Sequence, residues 1–138
     1  MDVIAYDIND NNEAIELGSV ADGLFVDKLK RRQVRKIQIS PPINASHPNF
    51  FDREQTDDSF SFVATQSFDE LGDAAINWLS WPDTVPRLAN ISFTQGGEIL
   101  WIPNAAIQTV ELVDKKGCLV SWSYTIAGGG AVTEQKPF

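Results

Sequence analysis

Apolar and polar residues alternate with period two along most of this chain, and with the period of a helix in one place only. Val3 to Ile8 reads as a short strand. Asp10-Asn11-Asn12 then forms a turn, because Asn and Asp tolerate the left-handed conformation, and Ala14 to Leu17 returns as the second arm of a hairpin. Leu24-Phe25-Val26 opens an extended segment that runs to Ser40, where two prolines end it. Phe60, Phe62 and Ala64 alternate with polar neighbours and present an aromatic face to a core. Ser67 and Glu70 have the spacing of a capping box, and Phe68, Leu71, Ala75 and Trp78 follow along one helical face. Ala74 and Leu79 widen that face, so the pattern predicts one helix over about 67–80, packed inward through these residues. Pro82 and Pro86 break it.

Beyond the helix the period returns to two. Ala89 to Thr94 and Ile99 to Ile102 flank Gly96-Gly97 and predict a tight hairpin. Pro103-Asn104 ends the second arm, and its continuous apolar run predicts burial on both faces or a place in an interface. Ile107 to Val113 reads as a separate strand, followed by a turn at Asp114 to Gly117. Cys118, Val120, Trp122, Tyr124 and Ile126 alternate with Leu119, Ser121, Ser123 and Thr125, which predicts a last strand with Cys118 as a small buried hydrophobe. Together these elements predict a single mainly β domain over 1–138. It is an antiparallel β-sandwich or open barrel of six to eight strands in two packed sheets, flanked by one α-helix. A long loop at 40–58, with three prolines and an acidic end, and a mobile tail at 128–138 complete the layout.

Charge changes this picture in one segment. The chain has 138 residues and a formal net charge of −8. Residues 28–36 carry +6, and the five remaining bases against 19 acids leave −14 elsewhere. Lys28, Lys30, Arg31, Arg32, Arg35 and Lys36 form this basic segment, with Val34, Ile37 and Ile39 keeping one apolar face within it. Three readings stand side by side: a solvated strand edge that resists aggregation, the basic half of a complementary-charge interface, or a local nucleic-acid patch. Phe50 and Phe51 in the following loop either tack it to the core or fill a pocket on a neighbour. The overall acidity argues against general nucleic-acid binding.

Candidate chemistry is sparse. There is one cysteine and one histidine, His47, so neither an internal disulfide nor a multi-histidine metal site can be built. Asp7, Asn9, Asn11 and Glu13 have the spacing that opens a calcium loop, but Asn12 and Gly18 stand where Gly and Glu are needed, which favours a plain hairpin turn. Glycine-rich phosphate cradles, GxSxG and CxxC do not occur. The expectation is a non-enzyme with no cofactor, metal, membrane or small-molecule substrate. Two alternatives remain: a carbohydrate-binding sandwich stacking sugars on Trp81 or Trp101, and a small hydrolase using carboxylates between Asp52 and Asp58. The N-terminal ten residues carry acids where a secretion signal needs bases, which implies synthesis in a cytoplasm.

The order of elements across 59–130 resembles that of tail proteins of bacteriophages and tail-like particles. The resemblance lies in the strand Phe60–Thr65, the helix opened by Ser67, the Pro82/Pro86 break and the Gly96-Gly97 hairpin. It continues through the Ile102-Pro103-Asn104 step and a final strand running into Ile126-Ala127-Gly128-Gly129. It implies a sandwich or open barrel with one flanking helix, and a virion tail protein assembled in the bacterial cytoplasm. It also implies partners that are other tail proteins and copies of the chain itself, in rings that are commonly hexameric and in some members stacked as tubes. Long loops or hairpins connect subunits in such proteins, which gives Lys28, Arg31, Arg32, Arg35, Lys36, Phe50 and Phe51 a place as interface residues.

Overall fold

The computed structural model describes residues 1–18, 24–40, 49–128 and 132–138; for 24, 25, 27, 34–40 and 49–57 it describes the backbone alone. The strands are β1 (Asp2–Asp7), β2 (Glu13–Gly18), β3 (Leu24–Ser40) and β4 (Asn49–Ser67). After the helix α1 (Leu71–Thr84) come β5 (Leu88–Gln95), β6 (Glu98–Lys116) and β7 (Leu119–Ala127). All seven strands pair antiparallel in one sheet of order β2-β1-β5-β6-β7-β4-β3. The protein is therefore mainly β with a single helix among the described residues. One curled sheet replaces the two packed sheets of the sequence reading.

The curl brings the sheet ends together. Gly18 at the end of β2 lies against β3 and β4: a Cβ there would sit 2.2 Å from Val26 Cγ2 and 3.5 Å from the Ala64 Cβ. The result is an open barrel with its core inside. Val3 and Ala5 of β1, Phe62 and Ala64 of β4, Ile91 of β5 and Val120, Trp122, Tyr124 and Ile126 of β7 are all buried. Phe62 stacks on Tyr124 of the adjacent strand at 5.0 Å between centroids and meets Phe93 edge-on from β5 across the interior. Period-two alternation on a curled sheet sends one row of side chains inward from every strand, which is how a single sheet can enclose a core. Cys118 is half-buried in the turn before β7, at the margin of that row.

Three boundaries differ from the sequence reading, each for a physical reason. First, α1 begins at Leu71 with Glu70 as an extended N-cap and no side-chain capping bond. Ser67 is still paired with Leu119, and the Phe68 N–H donates to the Cys118 carbonyl at 2.9 Å. The β4–β7 ladder thus claims the backbone that a capping box would use, and a cap is worth only about 1 kcal/mol. Pro82 sits inside the last helical turn instead of ending it. Second, Pro103 does not divide β6. Its first half pairs with β5 and its second with β7, and Asn104 at φ 49° lies between the two ladders. Asn tolerates that left-handed position, and its N–H donates to Asn90 Oδ1 at 3.0 Å. Third, part of the expected 40–58 loop is strand: β4 is laddered to β3 from Asn49 onward, while 41–48 lie outside the described residues.

The tail is docked where the sequence suggests mobility. Thr133 and Trp101 exchange two backbone hydrogen bonds, at 2.7 and 2.9 Å. The Phe138 ring packs on Tyr6 and Trp101 at 5.0 and 5.7 Å between centroids. An aromatic at the end of a polar tail has no sequence period to betray its partner, so only the fold reveals this contact.

At the β1–β2 turn, Ile8–Asp10 make a single 3-10 turn, and the Asp7 carboxylate accepts from the Asn9 N–H at 3.0 Å. Asn11 and Asn12 take positive φ. The Glu13 carboxyl is raised above its ordinary value, chiefly by a hydrogen bond with the Asp10 side chain and then by the charge of Asp10. An acid with a raised folded-state value is at ease when protonated and loses stability as pH rises from the unfolded toward the folded value. Glu13→Gln is expected to give a slightly higher Tm at pH 7 and no gain at pH 3, as measured by thermal melts at both. Among the described residues no group of three or more potential ligands converges to hold a metal ion.

Candidate functional site

The body of the barrel and its longest strands do not end together. β4 pairs with β7 only over Ser59–Ser67, and the Gly128 N–H closes this ladder on the Asp58 carbonyl at 2.9 Å. Beyond that point, the described ladder of 33–40 is with 49–58 alone, from Gln33 opposite Asp58 to Ser40 opposite Asn49. At about 3.3 Å per residue, this two-stranded ribbon overhangs the body by roughly 25 Å. An isolated two-stranded ribbon is marginal in water, so an overhang of this length calls for a surface to lie on.

The root of the ribbon is shaped by two irregularities. The β3–β4 register shifts between Asp27 and Lys30, where Lys28 has φ 54°, and again between Arg35 and Ile37. Bulges raise local twist and re-aim the strand, here where it leaves the barrel. Arg31 anchors the root: its Nη2 lies 3.3 Å from Asp58 Oδ1 and its guanidinium 5.6 Å from the Phe60 ring centroid. Gln33 Nε2 donates to the same carboxylate oxygen at 3.2 Å. Lys28, Lys30, Arg31 and Arg32 all have exposed side chains.

Of the residues singled out by sequence, Lys28, Arg31 and Arg32 thus share β3 at and beside the ribbon root. Arg35 pairs with Thr56 and Lys36 falls in the second register shift. Phe50 and Phe51 oppose Ile39 and Gln38, so backbone pairing brings them onto the same ribbon. The side chains of these four, and those of Val34, Ile37 and Ile39, lie outside the described residues, as do His47 and the Asn44 sequon.

Two surfaces were not legible as sites. One is a cavity of about 300 Å³ beside the ribbon root, walled by Leu29, Phe60, Phe93, Leu100 and Ile102 with Gln95 and Glu98 as polar members. The run Ile99–Ile102 contributes to it unequally: Ile99 and Leu100 are exposed, while Trp101 and Ile102 are buried. The other is the outer face of α1. The residues expected to point inward are exposed, Leu71 by 64%, Trp78 by 44% and Leu79 by 70%. The buried side is small and polar instead, formed by Ala74 and Asn77 with Trp81 beside them.

That inner side is held by hydrogen bonds. Asn77 donates from Nδ2 to Gln66 Oε1 and accepts at Oδ1 from Trp122 Nε1, both at 2.8 Å. Trp81 Nε1 donates to the Tyr124 hydroxyl at 2.5 Å. Burial pushes the Tyr124 phenol well above its ordinary value, opposed in part by the Trp81 bond. Trp81 is therefore committed to the core and Trp101 to Tyr6 and Phe138, and neither offers a free platform for a sugar. Asp58, the described member of the acidic stretch, is engaged with Arg31 and Gln33.

No protein-family model and no curated protein matches the sequence. Among solved structures, a chain in the tail of an empty GTA particle of C6 symmetry superposes with a TM-score of 0.51 at 11% identity. The match covers 98% of this chain and 96% of that one. The two chains share a fold. A chain in the virion of a native gene transfer agent (GTA) particle aligns with a TM-score of 0.49 at 11% identity, over 96% and 93% of the two chains.

Proposed function

We propose that this protein is a structural, non-enzymatic subunit of a phage tail or tail-like particle that associates with copies of itself in rings or tubes. The observation that carries the reading is the basic β3–β4 ribbon projecting from a closed body, in a fold shared with a GTA tail chain. That neighbour belongs to a tail of C6 symmetry, and a six-membered ring is the corresponding stoichiometry here. Head-to-tail contacts close a ring when the rotation between subunits closes, and they stack rings when it does not. Segregated charge favours the correct orientation and penalises like faces meeting, with Lys28, Arg31, Arg32, Arg35 and Lys36 as the basic half and Phe50 and Phe51 as apolar anchors.

The purified chain is expected to form rings or tubes in negative-stain images, with light-scattering mass rising with concentration and falling with salt. Arg32→Glu with Arg35→Glu is expected to leave a folded monomer by circular dichroism and to abolish the particles. A wild-type chain that stays monomeric throughout overturns the self-assembly reading. Particles at normal yield from the double variant overturn the role of the charges.

A further inference from the structure

The outer face of α1 is apolar and ringed by one sign of charge. Leu71, Ala75, Trp78 and Leu79 recur at i, i+4, i+7 and i+8, and the three large ones are exposed. Asp69, Glu70, Asp73 and Asp83 lie on or beside the helix, and residues 68–86 contain no lysine or arginine. The remaining surface of this chain that complements such a face is the basic β3–β4 ribbon, whose root exposes Lys30 and Arg32. β4 places the two features at opposite ends of the barrel. Its Gln66 is bonded to Asn77 of α1, and its Asp58 sits at the ribbon root. Eight residues of strand separate these points by roughly 26 Å. The ribbon leads away from its own helix, so the two complementary surfaces face opposite neighbours.

We propose that α1 is the acceptor for the ribbon of a second copy: the Leu71–Trp78–Leu79 stripe covers the ribbon's apolar residues, and the flanking acids meet its lysines and arginines. The contact is heterologous, one copy giving the ribbon and the next giving the helix, and it propagates in one direction. It rests on the self-assembly reading and names the partner surface within it. It also accounts for an inverted helix: a stripe that meets a neighbour need not point at the core, which is served instead by Ala74 and Asn77.

Two variants and one cross-link test this in the full chain. Leu79→Arg adds a like charge for the incoming ribbon at an exposed position, so the fold and Tm are expected to stay as in wild type. The concentration needed for particles is expected to rise at least about tenfold. In a Cys118→Ser background, Asp73→Cys and Arg32→Cys are expected to form disulfides between copies under mild oxidation, giving a ladder of covalent multimers. If wild type assembles and Leu79→Arg assembles equally well, the inference fails while the assembly reading stands. If Leu79→Arg blocks assembly but the cysteine pair yields no multimers, the helix meets a different surface and the inference is overturned. If wild type never assembles, both fail together.

Discussion

Asn77→Leu is expected to be the most destabilising exchange on the helix, although it replaces a polar residue with a good helix former. Asn77 is buried and spends both ends of its amide, donating to Gln66 and accepting from Trp122. Leucine has similar volume but leaves the Gln66 oxygen and the Trp122 N–H buried without partners. Each orphaned group costs about 1–3 kcal/mol, so a total of about 3 kcal/mol is expected. For a domain of this size that lowers Tm by about 10 °C. Leu79→Ala on the opposite face is expected to change monomer stability by less than about 0.5 kcal/mol, because the side chain is already exposed. Urea melts of the two variants under monomeric conditions check the contrast. A large loss at Leu79 with little at Asn77 would mean that the helix packs the other way round.

Gly18→Ala is expected to open the seam of the barrel. The new methyl would lie 2.2 Å from Val26 Cγ2, and a β-branched valine in a strand has little freedom to turn aside. Either β2 or β3 shifts, at about 1–3 kcal/mol. Val26→Ala removes the clashing methyl, so the double variant is expected to recover part of that loss. Additive losses in a double-mutant cycle would show that the two residues do not meet. The site is informative because β2 and β3 are the two ends of the sheet, and their approach is what distinguishes a closed body from an open one.

Much of the barrel was legible because period two is a local property. The hairpin β1–β2, the Gly96-Gly97 turn between β5 and β6, and the inward row Val120, Trp122, Tyr124 and Ile126 all follow from alternation and turn chemistry. Gly96 and Gly97 take φ 60° and 84°, which residues with a Cβ rarely adopt, so the two-residue turn is written in the glycines themselves. Continuity across Pro103 was not legible, because a proline ends a strand in general yet is accommodated where a strand changes partners. The ribbon shows the same limit: a polar, proline-flanked stretch reads as loop, and its backbone pairing depends on a partner strand more than ten residues away.

For the candidate site, the charge segregation was plain from composition, while the position of the charges was not. Sequence alone determined that six basic residues lie within 28–36, that the chain is built mainly of strands, and that one amphipathic helix interrupts them. Tertiary structure alone decided which face of that helix is turned inward. A hydrophobic stripe identifies a surface that avoids water, and packing against a core and packing against a neighbour satisfy that preference equally. Here the core-facing row of β4 and β7 offers Gln66, Trp122 and Tyr124, and groups that must hydrogen-bond selected Asn77 and Trp81 as their partners. The polar side of α1 won the interior because buried donors and acceptors cost more unpaired than exposed leucines do in water, and that competition exists only once the strands are in place.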